Sequence, residues 1–305
     1  MIRAKKLMLL PVLLSLCSCY TGSSDSLRDP VSQEGVSATV HADLPYQSNV
    51  VSVAASFYKD GEKQPLVGGD IITAASDNDT AILRSLENLS GNYLAQLEVS
   101  DSSAGVDFTI VHDPEAARQD RWYPLDELMV DPGPGELVGY GTGINFPEPL
   151  VLDAPLSNEI YTSRTQDIIL NWTTSPSTEQ IRLTTVQTCY SGDRSLQWGT
   201  SSILGTTDTG THTVSVASLI PSTNFVNAVS NFIDQLSLII VSAIVDAYSF
   251  GLVSTKDISI ESFQLEHCAI SLTVFREISN ELGAGISGGY AIGSTSDTVT
   301  VNFRP

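Results

Sequence analysis

Alternation of apolar and polar residues with a period of two dominates this chain. Val36, Ala38, Val40 and Ala42 alternate with Ser37, Thr39, His41 and Asp43, and Val51, Val53, Ala55 and Phe57 repeat the pattern. Side chains on a strand point to its two faces in turn, so such runs predict strands with one apolar and one polar face. Asp60-Gly61 directly follows the second run and is a hairpin-turn signal. Similar runs predict strands at 70–75, 81–86, 93–99 and 106–111. In the second half they predict strands at 168–172, from 181 to about 185, and at 211–218, 258–265, 269–275 and 298–303. Short strands this closely spaced favour a sandwich over a parallel sheet with crossover helices, so the expected fold class is all-β.

One segment departs from this period. Phe225, Val229, Phe232, Leu236, Ile240, Ala243, Ala247 and Phe250 recur mostly at intervals of three or four, the helical spacing. They predict a helical insertion at 222–251, with Ser222 or Thr223 as its cap. The β-branched run Ile239-Ile240-Val241 leaves open a helix followed by a strand. The plainer expectation is a helix packed over an edge or end of the second sandwich. The functional one is an apolar stripe of Phe232, Leu236, Ile240, Ala243 and Ala247 that docks another protein.

The first residues carry Arg3, Lys5 and Lys6, then an apolar run from Leu7 to Leu16. This is the layout of a secretory signal, and the run is too short to span a bilayer. Leu16-Cys17-Ser18-Cys19 follows. It resembles the lipobox of bacterial lipoproteins, with a Leu three positions and a small residue one position before an invariant Cys. Cys19 meets that pattern; Cys17, preceded directly by Leu16, fits it poorly. The resemblance implies a signal peptide at 1–18, cleavage before Cys19, acylation of Cys19 and attachment to a membrane through that anchor. Tyr20, rather than Asp, in the next position implies the outer membrane, with the face left open. The polar stretch at 19–34 reads as a flexible tether.

The chain has 305 residues, with 35 acidic against 15 basic ones and a formal net charge of -20. A phosphate-binding protein needs a basic surface, so nucleic acid is not an expected partner. Loss of residues 1–18 would remove three cations and no acid, making the body more acidic still. Such a body is repelled by an anionic lipid surface, so the anchor rather than charge would hold it there. Two cysteines remain beyond the anchor. In an oxidising exported compartment Cys189 and Cys268 are expected to pair, the alternative being two buried thiols.

Two stretches carry a further resemblance. Ser90-Gly91-Asn92-Tyr93-Leu94-Ala95 loosely resembles the tyrosine corner of immunoglobulin-like domains, with Ala95 where those domains place a Cys. Ile168, Leu170 and Trp172, continued by Ile181 and Leu183, resemble early strands of a fibronectin type III-like domain, in which a Trp plugs the core. The loop-rich region from Asp131 to Gly143 precedes a boundary near 148–155. These resemblances imply two immunoglobulin-like β-sandwich domains, at 35–150 and 151–305, the second with the α-helical insertion.

The chemical motifs are sparse. Gly285-Ile286-Ser287-Gly288-Gly289 matches the G-x-S-x-G string of serine hydrolases, but no His follows it, so a Gly-rich loop into the last strand is expected. No His-x-x-x-His or Cys-x-x-Cys spacing occurs, so no metal or cofactor is expected. Asp77 and Asp79, with the acidic stretch at 101–107, are candidate calcium ligands, although solvated turns are the plainer reading. Trp122, Tyr123 and Trp198 are candidates for stacking on sugar, with core or interface packing the plainer reading. The leading functional expectation is a non-catalytic, lipid-anchored cell-envelope protein that binds or scaffolds another envelope protein. The alternatives are a surface-exposed adhesin or glycan binder, and an enzyme whose site the sequence does not display.

Overall fold

The computed structural model describes residues 35–66, 69–85, 91–114, 134–135, 137–192, 194–220, 265–283 and 286–305. The signal segment with Cys19, the tether, Trp122 and Tyr123 lie outside the described residues. So do the segment at 222–251, with Phe232, Leu236, Ile240, Ala243 and Ala247, and most of the expected strand at 258–265.

The described chain is all-β with a sandwich character. Its first half holds β1 (Val36–Pro45), β2 (Val50–Lys59), β3 (Glu62–Lys63), β4 (Asp70–Ala75), β5 (Thr80–Ser85), β6 (Asn92–Glu98), β7 (Val106–His112) and β8 (Gly141–Ile144). The second half holds β9 (Leu152–Ala154), β10 (Ile160–Tyr161), β11 (Asp167–Trp172), β12 (Gln180–Ser191), β13 (Arg194–Gly205), β14 (Thr211–Ser215), β15 (His267–Asn280) and β16 (Gly288–Phe303). The one described helix, α1 (Val216–Leu219), is a single turn whose start is capped by the Ser215 side chain. The alternation expected to run to 218 therefore stops at 215. The turn at Asp60-Gly61 forms, with both residues at positive φ (52° and 81°), as a two-residue hairpin of this hand requires.

A long sheet runs in the order β13-β12-β15-β16-β1-β2-β6-β5-β4-β7-β8, and a small one in the order β14-β11-β9. The long sheet is continuous because β1 and β16 pair in parallel, from Ser37 opposite Gly288 to Pro45 opposite Ser296. β16 was expected only over 298–303. Its earlier part, Gly-Gly-Tyr-Ala-Ile-Gly-Ser-Thr-Ser, has little apolar alternation, yet it is paired on both sides, by β1 and by β15. β13 was likewise not foreseen, because Ser, Gly and Thr fill half of its positions.

Register places both apolar cores on one face of the long sheet. The first core takes Ala38, Val40, Ala42 and Leu44 from β1, Val51, Val53, Ala55 and Phe57 from β2, and Ala291 from β16. β4, β5, β6, β7 and β8 curl over it, adding Ile72, Leu83, Leu97, Phe108 and Ile144. The curl returns β8 to the β15–β16 connection, where Thr142 Oγ1 donates to the Glu281 carbonyl at 2.7 Å. Gly293 is needed there, since a Cβ would lie 1.9 Å from the Asn145 carbonyl oxygen. The second core lies between the small sheet and β12, β15 and β16, built from Ile168, Leu170 and Trp172 against Ile181, Leu183, Ile270, Leu272, Val274, Val299 and Val301. Full burial of each such aliphatic side chain is worth about 1.5–3 kcal/mol, so these alternating faces supply the main drive to fold.

Candidate functional site

The fold gathers its polar chemistry in two places. The first is the seam between the cores, on the core face of the long sheet. Residues 145–152 cross that face from Phe146, packed on the first core, to the fully buried Leu150 of the second. Arg276 continues the apolar phase of Ile270, Leu272 and Val274 along β15 and is 1% exposed. Its guanidinium donates to the carbonyls of Glu148 (3.0 Å), Pro149 (2.9 Å) and Thr173, and to Asp208 Oδ2 at 3.0 Å. Thr295 Oγ1 also donates to the Glu148 carbonyl, and Asp297 accepts from the Leu152 backbone N–H.

Asp208 is the hub of this seam. It accepts from Trp172 Nε1 (2.7 Å), the backbone N–H groups of Ser175 and Gly210, and Thr178 Oγ1. Burial raises the pKa of its carboxyl, but those hydrogen bonds and the Arg276 charge outweigh it and hold the group below the ordinary carboxylate range. The planar fork of Arg276 meets three carbonyls and a carboxylate at once, which suits it to fixing a chain crossing.

The second place is the opposite face. Register puts Asp43, Ser294, Glu277 and Gln180 in one row across β1, β16, β15 and β12. Asp43 accepts from Ser294 Oγ at 2.7 Å and from Ser296 Oγ at 2.8 Å. Glu277 accepts from Arg182 Nε at 2.6 Å and from Gln180 Nε2 at 2.7 Å. The Arg182 guanidinium lies 3.8 Å from the centroid of the Phe275 ring. All of these side chains are buried. Buried charges require such pairing, since an isolated one costs several kcal/mol.

A Ser, a His and an Asp therefore do meet, but not in the order that activates a nucleophile. His41 Nε2 stands 3.4 Å from Ser294 Oγ, while Asp43 contacts the Ser directly. In a catalytic triad the His stands between the other two, taking the Ser proton and being oriented by the Asp. Here the hydroxyl is a clasp between neighbouring strands.

The residues singled out in the sequence fall as follows. Cys189 and Cys268 are opposite one another on β12 and β15 and are joined by a disulfide, fully buried in the second core. His267 points to the other face and stacks on Tyr190, with ring centroids 4.6 Å apart. Trp198 is buried in the second core. Ser287 Oγ donates to the Val36 carbonyl, and a strand rather than a helix follows it. Asp79 accepts from the backbone N–H groups of Thr80 and Glu98, and Asp77 from that of Ser100. Among the described residues no group of three or more His, Cys, Asp and Glu is placed to hold a metal ion. His112 Nδ1 lies 2.9 Å from Asp70 Oδ1, tying the end of β7 to the start of β4, and Asp70 also accepts from Gly135 N.

Sequence reasoning missed Arg276, Asp208, and the Arg182–Glu277 and Asp43–Ser294 pairs. A signal existed for Arg276, an ionised residue on an apolar phase. For Asp43, on the polar phase of β1, there was none. Compared with known proteins, the chain matches no family model and no curated sequence.

Proposed function

We propose that this chain is a non-catalytic, lipid-anchored cell-envelope protein, held at the outer membrane through Cys19, that binds or scaffolds another envelope protein. The observation that carries the reading is Leu16-Cys17-Ser18-Cys19 after a basic, apolar leader, followed by a polar stretch that ends where β1 begins. The finer architecture proposed is two immunoglobulin-like sandwiches at 35–150 and 151–305, the second with a helical insertion at 222–251. Two details support it. Tyr93 Oη accepts the Leu66 backbone N–H in the manner of a tyrosine corner, and Trp172 fills the second core. The polar groups at Asp43 and Arg276 serve strand pairing and chain crossing, which supports a non-catalytic reading.

The proposed docking stripe is Phe232, Leu236, Ile240, Ala243 and Ala247. Its test is a photo-crosslinking side chain at Leu236 in living cells. The expected result is a discrete crosslinked protein, lost on replacing Ile240 and Ala243 with Asp while the circular dichroism of the purified chain is unchanged. Collapse of the fold in that variant, or no crosslink in the parent, would set the docking reading aside.

A further inference from the structure

The parallel pairing of β1 with β16 has a mechanical consequence. The chain enters β1 at Val36, one residue before the Ser37–Gly288 pair, and leaves β16 at Phe303, beyond the Ser296 end of the shared ladder. A pull on the chain before β1 and after β16 is therefore directed along the strands and in opposite senses. Such a load falls on every pair from Ser37–Gly288 to Pro45–Ser296 at once. A pull on both strands from the same end would load one pair at a time and peel them apart. The hydrogen bonds of a parallel ladder are evenly spaced along the strands, so a load along the axis is shared among them.

Further contacts reinforce this ladder toward both ends. At the Val36 end, Ser287 N and Oγ both donate to the Val36 carbonyl, at 2.7 and 2.8 Å. At the other end Tyr46 N donates to the Ser296 carbonyl at 2.6 Å. Asp43 bridges Ser294 and Ser296 through its two carboxylate oxygens, with all three side chains buried. Water competes poorly for buried hydrogen bonds, and a charged acceptor makes them stronger than neutral ones. Gly289 lies so close to β1 that a Cβ there would sit 1.9 Å from the Ala38 carbonyl oxygen. On its other edge β1 is held by β2 from Val36–Lys59 to Asp43–Ser52, so it cannot slide without breaking a second ladder.

We propose that the β1–β16 pair is a mechanical clamp, which keeps the two halves of this protein joined under tension applied between the N-terminal side of β1 and the far end of β16. That the load enters on the N-terminal side rests on the lipid anchor proposed at Cys19. The clamp itself does not, and its test requires no membrane.

The experiment is single-molecule pulling of the full, oxidised chain in two geometries. One has handles at the two chain ends. The other has one handle at the N-terminal end and one on an unnatural side chain at the exposed Glu281, which precedes β16. The clamp requires a first rupture force several times higher in the end-to-end geometry. It also requires that Ser294→Ala with Ser296→Ala lower the end-to-end force and leave the other unchanged. Equal rupture forces in the two geometries would overturn the proposal. Should the double variant not fold, the comparison of geometries in the parent chain decides alone. A chain that proves clamped but unacylated at Cys19 would remove the anchor and leave the clamp.

Discussion

The two cores share one face of one sheet but are held in different ways. The first is apolar throughout, and its strands curl until β8 returns to the connection between β15 and β16. Alternation alone specifies it, since each strand offers one apolar face and curling lets those faces meet. The second is covered by a three-stranded sheet and is fastened near both ends. Near one end the Cys189–Cys268 disulfide joins β12 to β15; near the other Arg276 and Asp208 tie β15 to the crossing segment and to Trp172. Along β15 these fastenings stand eight residues apart, roughly 26 Å at strand rise. The second core holds the bulkier side chains, among them Trp172, Trp198 and Phe303, where the first is rich in Ala, and its covalent and ionic ties fix strands that apolar packing alone leaves free to shift.

This contrast can be broken by removing the ties one at a time. The largest expected effect is that of Arg276→Met, which leaves Asp208 buried without its ion-pair partner. A loss of about 3–5 kcal/mol in denaturant unfolding, followed by Trp fluorescence, is expected. An unchanged midpoint would mean that the seam is a bystander. Reduction of the disulfide should come next, at about 2–4 kcal/mol, because it frees a loop closed across a separation of 79 residues. A stability difference near zero between oxidised and reduced protein would show that the second core holds without it.

Acid should act through Asp208. Its folded pKa is depressed, so its contribution is fully present above the unfolded carboxylate value of roughly 4 and is lost as pH falls through the folded value. Trp172 fluorescence should report a loss of stability below about pH 4. In Asp208→Asn that dependence should flatten from a lower starting stability. The smallest effect is expected at His212, whose pKa burial lowers. The unfolded chain then binds a proton at higher pH than the folded one, so stability should decline gently below about pH 6.5. His212→Gln should remove that slope, and an unaltered slope would assign it to other groups.

The first core was largely legible in the sequence, because Val36 to Ala42 and Val51 to Phe57 write their buried faces plainly. Trp172 as the plug of the second core was legible for the same reason. The join between the halves was not. β16 between Gly288 and Ser296 carries Gly, Ser and Thr, and its pairing with β1 spans some 250 residues of chain, which no local pattern records. The polar clasps were hidden for a related reason. Asp43 and Ser294 look like solvent-facing residues until register sets them opposite each other. Arg276 announced itself as an ion on an apolar phase, but its acceptors, the carbonyls of Glu148, Pro149 and Thr173, are backbone atoms that any residue would supply.

The central claim is that this sandwich is tied to a membrane by an acyl chain on Cys19. Its most direct test is mass spectrometry of the N-terminal peptide of protein isolated from membranes. The account predicts a chain that begins at Cys19, with acyl groups on its thiol and new amino terminus, and a Cys19→Ser protein absent from the membrane fraction. A mature chain that begins elsewhere, or an unmodified Cys19 in membrane-derived protein, would contradict it.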